Sequence, residues 1–174
     1  MKTKKISVLC IVACMVFLAG CADPLKDGTE QLENKQYQDA VGSFEEVIKS
    51  GKNLGEAYHG QGIAYWELKQ YDKAKEALKK ALENEAEETV VMYQILGDCS
   101  MILGSYEDAL AYYWKGMGCE GLTENQLQEM LYNEIIAYEQ LRDWDSAKLK
   151  MAAYAEKYPD DEEAKKEAEF LETR

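Results

Sequence analysis

Tyr71-Asp72-Lys73-Ala74, followed four residues later by Leu78, decides how this 174-residue chain folds. The same order of aromatic, two charged residues, alanine and a bulky group returns as Tyr106-Glu107-Asp108-Ala109 with Tyr113. Working outward, Tyr37, Tyr71, Tyr106 and Trp144 stand 34, 35 and 38 residues apart. Ala40, Ala74, Ala109 and Ala147 keep those intervals, as do Phe44, Leu78, Tyr113 and Met151. Gly28, Gly62 and Gly97 are spaced by 34 and 35. A recurrence near this length marks one supersecondary unit repeated, each unit burying its apolar face against the next.

The registers together resemble the tetratricopeptide repeat over roughly residues 24–158. The resemblance implies an all-α, right-handed solenoid of four antiparallel helix pairs plus a C-terminal capping helix in 159–174. Gly62 and Gly97 fall in mid-helix, where glycine costs about 1 kcal/mol relative to alanine. That cost marks places where a partner helix comes close, with Ala74, Ala109, Leu78 and Tyr113 as its contact face. The fourth repeat departs from the pattern: Ile135 replaces a small residue and Tyr154 replaces alanine, which predicts a looser pair. Gly116-Met117-Gly118-Cys119-Glu120-Gly121 predicts a flexible, longer loop before it, closed by a Thr123–Gln126 capping box. Asp160 with Glu163 predicts a second capping box opening the last helix, whose Ala164, Ala168 and Leu171 form one apolar stripe.

At the other end, Leu18-Ala19-Gly20-Cys21 closes an apolar run that begins after Lys2, Lys4 and Lys5. This resembles the lipobox of bacterial lipoproteins. The thirteen residues Ile6 to Leu18 have the length of a signal h-region and are short for a membrane span. The expected organisation is a signal peptide in 1–20, a tether in 21–23 lipidated at Cys21, and the repeats beyond. The expected place is the extracytoplasmic face of a bacterial envelope, with lipid chains contributing about 0.8 kcal/mol per buried CH₂.

Losing residues 1–20, which hold three lysines and no acid, deepens the net charge from −13 to −16. So acidic a chain repels phosphate backbones, and nucleic acid is not an expected partner. Cys99 and Cys119 are the cysteines left beyond Cys21. An exported chain permits a disulfide between them, but Cys99 in mid-helix argues against one. His59 is the lone histidine, and no hydrolase, metalloprotease or phosphate-loop motif accompanies it. The acids Glu83, Glu85, Glu87 and Glu88 lack the spacing of a calcium loop and read as a solvated helix end. The chain is therefore read as non-catalytic, without metal or cofactor, and monomeric.

What the repeat resemblance does imply is a concave groove lined by the first helix of each pair. Its places fall on His59, Ile63, Trp66 and Glu67, then on Gln94, Asp98, Met101 and Ile102. Tyr132, Ile136, Glu139 and Gln140 follow in the fourth repeat. Trp66 and Met101, 35 residues apart, predict an apolar strip that Tyr132 and Ile136 extend. Such a strip suits a protein or peptide partner. Family members that grip acidic chaperone tails carry lysine, asparagine and arginine at places here held by His59, Ile63 and Gln94, so that mode is not expected. The alternatives are a small-molecule or glycan module stacking on Trp66 and Tyr132, which needs an enclosed pocket, and an accessory subunit of an envelope enzyme or assembly machine.

Overall fold

The computed structural model describes residues 23–174, so the signal-peptide reading and Cys21 lie outside the described residues. Among the described residues nine helices run in chain order: α1 (Pro24–Glu33), α2 (Tyr37–Ser50), α3 (Leu54–Glu67), α4 (Tyr71–Glu83), α5 (Val90–Ile102), α6 (Tyr106–Met117), α7 (Glu124–Gln140), α8 (Trp144–Lys157) and α9 (Glu162–Glu172). Among the described residues there is no strand. The aromatics of the repeat register each open a second helix: Tyr37, Tyr71, Tyr106 and Trp144 are the first residues of α2, α4, α6 and α8.

The turn inside each pair is built the same way four times. Lys35, Lys69, Gly104 and Arg142 take positive φ, between 58° and 74°. The next amide closes a bond five residues back, Gln36 N to Gln31 O, Gln70 N to Tyr65 O, Ser105 N to Ser100 O and Asp143 N to Tyr138 O. This is the helix-ending arrangement in which a left-handed residue folds the chain back on the last carbonyls. Only one of the four uses glycine, so three turns bear a left-handed side chain at a cost of about 1–2 kcal/mol each.

Each helix packs on the one before and the one after, and the odd-numbered helices α1, α3, α5 and α7 also touch one another. The even-numbered helices stand further apart, and a long side chain, Lys75 to Asp108 at 2.9 Å, spans α4 to α6. A two-layer stack whose one layer is more closely spaced curves toward that layer. The odd helices therefore form the inner, concave side. The core runs along the stack as four successive clusters: Phe44 and Val47 with Ala57 and Ala64, Leu78 with Leu96, Tyr113 with Met130, and Met151 with Leu171. It is an all-α solenoid of helix pairs ended by a capping helix.

The glycine register marks the close approaches. A Cβ on Gly62 would lie 2.6 Å from Leu78, and one on Gly97 would overlap the ring of Tyr113, both knobs being wholly buried. Gly28 meets Phe44, and Gly60 presses on the same ring from the next repeat, a contact outside the glycine register.

Two expectations about the fourth repeat need correction. Gly116 is not loop: α6 runs on to Met117, and the missing side chain lets Met130 Sδ and Tyr93 Cβ come within 3.0 and 3.2 Å of where a Cβ would be. The connection is then 118–123, no longer than 84–89 between α4 and α5. The wider 38-residue interval comes instead from α7, at 17 residues against 13 in α5. Thr123 starts that longer helix, with its hydroxyl accepting from Gln126 N and its amide donating to the Gln126 side chain. The helices α7 and α8 do stand further apart than α3 and α4. Ile135 and Tyr154 fill the space and are buried, so the pair is wider without being open.

The last cap is also one residue later than expected. Asp161, not Asp160, accepts from Glu163 N and Ala164 N. Its other oxygen accepts from Tyr154 OH at 2.7 Å, which ties α9 to α8 and explains the shift. Ala164 and Leu171 are buried on α9 as the stripe predicts. Phe170 stays on the surface under the Arg174 guanidinium, 4.4 Å from ring centre.

Candidate functional site

The twelve groove candidates lie on α3, α5 and α7, and none of them is buried. His59, Ile63, Trp66, Gln94, Asp98, Met101, Tyr132, Ile136 and Glu139 are half-buried, while Glu67, Ile102 and Gln140 are exposed. Inner-layer placement explains this pattern: a helix face turned to the concave side keeps its neighbours on two flanks and water above. Trp66 packs against Tyr71 at 5.3 Å between ring centres and against the core below, so it carries a structural share as well. Ile102, at 53% exposure, and Val91, at 45%, are the open apolar groups of α5.

Between α5 and α7 the lining is polar, which departs from the expected apolar strip. Gln94 Nε2 donates to Glu129 Oε2 at 2.7 Å, and Asn133 Nδ2 donates to Asp98 Oδ1 at 3.2 Å. Tyr113 OH reaches the same Asp98 oxygen at 2.7 Å. Register-equivalent residues of repeat four, Tyr132 and Ile136, do not take these places. The lengthened α7 brings residues one turn earlier opposite α5. Both pairs are 35 residues apart in sequence, the ordinary repeat interval, and that spacing is the signal that would have found Glu129 and Asn133.

Tyr132 instead faces the end of the stack. Its ring tilts against Tyr154 at 5.5 Å, and Gln128 Nε2 donates to Tyr154 OH at 3.1 Å. With Glu129, Asn133, Asp161 and Glu163 they line an open concavity of about 280 Å³. A second one, around His59, is bounded by Glu56, Asn84 and Glu87. Both are open to solvent. Trp66 and Tyr132 do not share a pocket, so the enclosed aromatic site that a glycan module needs is not formed by them.

The electrostatics of this face are those of uncompensated acids. Burial raises the Asp98 carboxyl above its ordinary value, and the Tyr113 and Asn133 donors pull partly against it. Glu139 is pushed up to about 7, first by burial and then by the neighbouring Glu167 carboxylate. His59 is lowered by burial, with Glu87 pulling the other way, so the imidazole is neutral near pH 7. Its Nε2 is buried without a hydrogen-bond partner. Cys99 is buried and its thiol pushed up to about 12 by burial, while both Cys99 and Cys119 are free. The acids Glu83, Glu85, Glu87 and Glu88 are all exposed, and Glu88 also accepts from Tyr93 OH at 2.6 Å. Among the described residues no group of three or more His, Cys, Asp or Glu is arranged to hold a metal.

The family model of the tetratricopeptide repeat matches residues 55–88 and, in a second form, 129–161. These two segments of the chain thus match the tetratricopeptide repeat. Over 64 residues it is 39% identical to superkiller complex protein 3 of Mus musculus, covering 37% of this chain and 4% of that protein. Among solved structures, that of YrrB, a TPR protein with an unusual peptide-binding site, superposes with a TM-score of 0.73 at 21% identity, covering 85% of this chain and 74% of that one. The crystal structure of MamA does so with a TM-score of 0.71 at 16% identity, covering 85% and 78%. At these identities the likeness is one of fold. No enzyme family is among these matches.

Proposed function

We propose that this chain is a non-catalytic scaffold that binds a protein or peptide partner along the face built by α3, α5 and α7, and that a lipid on Cys21 holds it to the extracytoplasmic side of a bacterial envelope. The observation that carries the first part is the row of solvent-reachable apolar groups, Ile63, Trp66, Met101 and Ile102, on adjacent inner helices of a rigid stack. Rigid aromatic and thioether groups held half-open lose little entropy on binding and adapt to varied ligand shapes. The fold of YrrB supports the reading, since that protein is a repeat solenoid with a peptide-binding site. The lipid anchor rests on the lipobox-like Leu18-Ala19-Gly20-Cys21.

Two experiments test the two parts. Cys21→Ala moves the protein from the membrane to the soluble fraction; retention after a salt wash contradicts the anchor. Ile102→Glu places charge at an exposed groove position and abolishes partner capture from solubilised membranes without lowering the melting temperature. Unchanged capture contradicts the groove.

A further inference from the structure

Lysine is unevenly distributed between the two layers of this solenoid. Helices α3, α5 and α7 contain seven acidic residues and no lysine or arginine, and α1 adds a single lysine, Lys26, whereas α2, α4, α6 and α8 balance ten acidic residues with nine lysines. Mere solubility does not call for such sorting, because dispersed acids would serve it equally. Two of the seven acids are neutralised by the outer layer: Glu134 pairs with Lys150 at 2.8 Å and Glu124 with Lys157 at 2.7 Å. Glu56, Glu67, Asp98, Glu129 and Glu139 have no cationic partner among the described residues. Their fields add on the concave side, where the flanking helices exclude part of the solvent that would screen them. Burial is the main cause that raises the Asp98 and Glu139 carboxyls, and the Glu129 and Glu167 carboxylates respectively add to it.

Resting on the groove reading above, we propose that the occupant of this face is a cationic peptide segment, its lysines or arginines interleaved with apolar side chains. The apolar groups would seat on Ile63, Trp66, Met101 and Ile102. The cationic groups would reach Glu56 and Glu67 on α3 and Glu129 on α7, all three exposed and on inner helices. An acidic or phosphorylated segment meets repulsion here, which is discrimination by a repulsive element as much as by an attractive one. Steering of this kind acts chiefly on association rate and fades with salt.

The test is selection of a displayed random-peptide library on the full chain in nonionic detergent. The expected winners carry net positive charge and bind roughly tenfold or more weakly at high salt, a loss of the size electrostatically steered association shows. They also lose about tenfold affinity on the triple variant Glu56→Lys, Glu67→Lys, Glu129→Lys. The milder Glu56→Gln, Glu67→Gln, Glu129→Gln form is read beside it, with melts of both, so that misfolding is not mistaken for lost binding. Neutral or acidic winners that depend on Ile102 overturn the cationic occupant and leave the groove reading standing. Cationic winners indifferent to both triple variants but lost on Glu107→Lys with Asp145→Lys place the contact on the outer layer and overturn both. So does a selection that enriches nothing.

Discussion

At the scale of single residues, two glycines with the same backbone role have opposite forecasts. Gly97 sits where a Cβ would enter the Tyr113 ring, and that ring is wholly buried with its hydroxyl bonded to Asp98. Alanine there gains up to about 1 kcal/mol of helix propensity but costs about 1–3 kcal/mol in overpacking. We expect Gly97→Ala to lower the melting temperature. Gly42, on exposed α2 surface, has nothing within 4 Å of a Cβ. Gly42→Ala should therefore raise stability by roughly 1 kcal/mol, and the same thermal melts decide both. A third residue adds a pH signature. Glu139 rises from 4.5 in its ordinary state to about 7 in the fold. Folding then takes up a proton between those values, so the ionised group opposes folding progressively as pH climbs from about 4.5 to 7. Glu139→Gln should stabilise the protein at about pH 8 and lose that advantage by about pH 4, where the native carboxyl is protonated in both states. An advantage that is constant across pH contradicts the assignment.

At the scale of elements, the caps decide where helices begin, and Asp161 carries more than its own helix. It accepts two α9 amides with one oxygen, and Tyr154 OH and the Gln128 amide with the other. Asp161→Ala should cost at least the 0.5–2 kcal/mol of a lost N-cap, roughly, and hydrogen exchange should rise in α9 before other helices. Uniform exchange would mean that α9 is not held through this residue. The aromatic register coincides with the starts of α2, α4, α6 and α8, because each of those residues stands two places after the left-handed residue of a turn of one fixed geometry. Element lengths were less legible. Gly116 looks like loop in a run of three glycines, yet it is helix, since its missing side chain admits Met130. Nothing local to 116–121 reveals that requirement. The cap at Asp161 escaped for the same reason: Asp160 and Asp161 are alike in sequence, and the Tyr154 hydroxyl that chooses between them arrives from another helix.

At the scale of the whole molecule, the stack converts a sequence interval into adjacency. Residues about 35 apart meet across inner helices, as Gln94 with Glu129 and Asp98 with Asn133 do. The layer was legible from the repeat, and all twelve candidate residues fall on it with solvent access. Its texture was not: the extra turn of α7 shifts the facing residues and makes the α5–α7 border polar where an apolar strip was expected. That border and the acids beside it give the face its character, apolar toward α3 and hydrogen-bonding toward α7. The outer layer carries its own exposed groups, Trp114 at 74% and Leu149 at 71%, and so supplies an internal contrast. The central claim is that partners engage the inner layer. The most direct measurement is photo-crosslinking in intact cells, with a photoreactive residue placed in turn at Ile102 and Ile63, and at Trp114 and Leu149. The account predicts a discrete adduct from Ile102 and Ile63 and none from the outer pair. Adducts confined to Trp114 or Leu149 would contradict it.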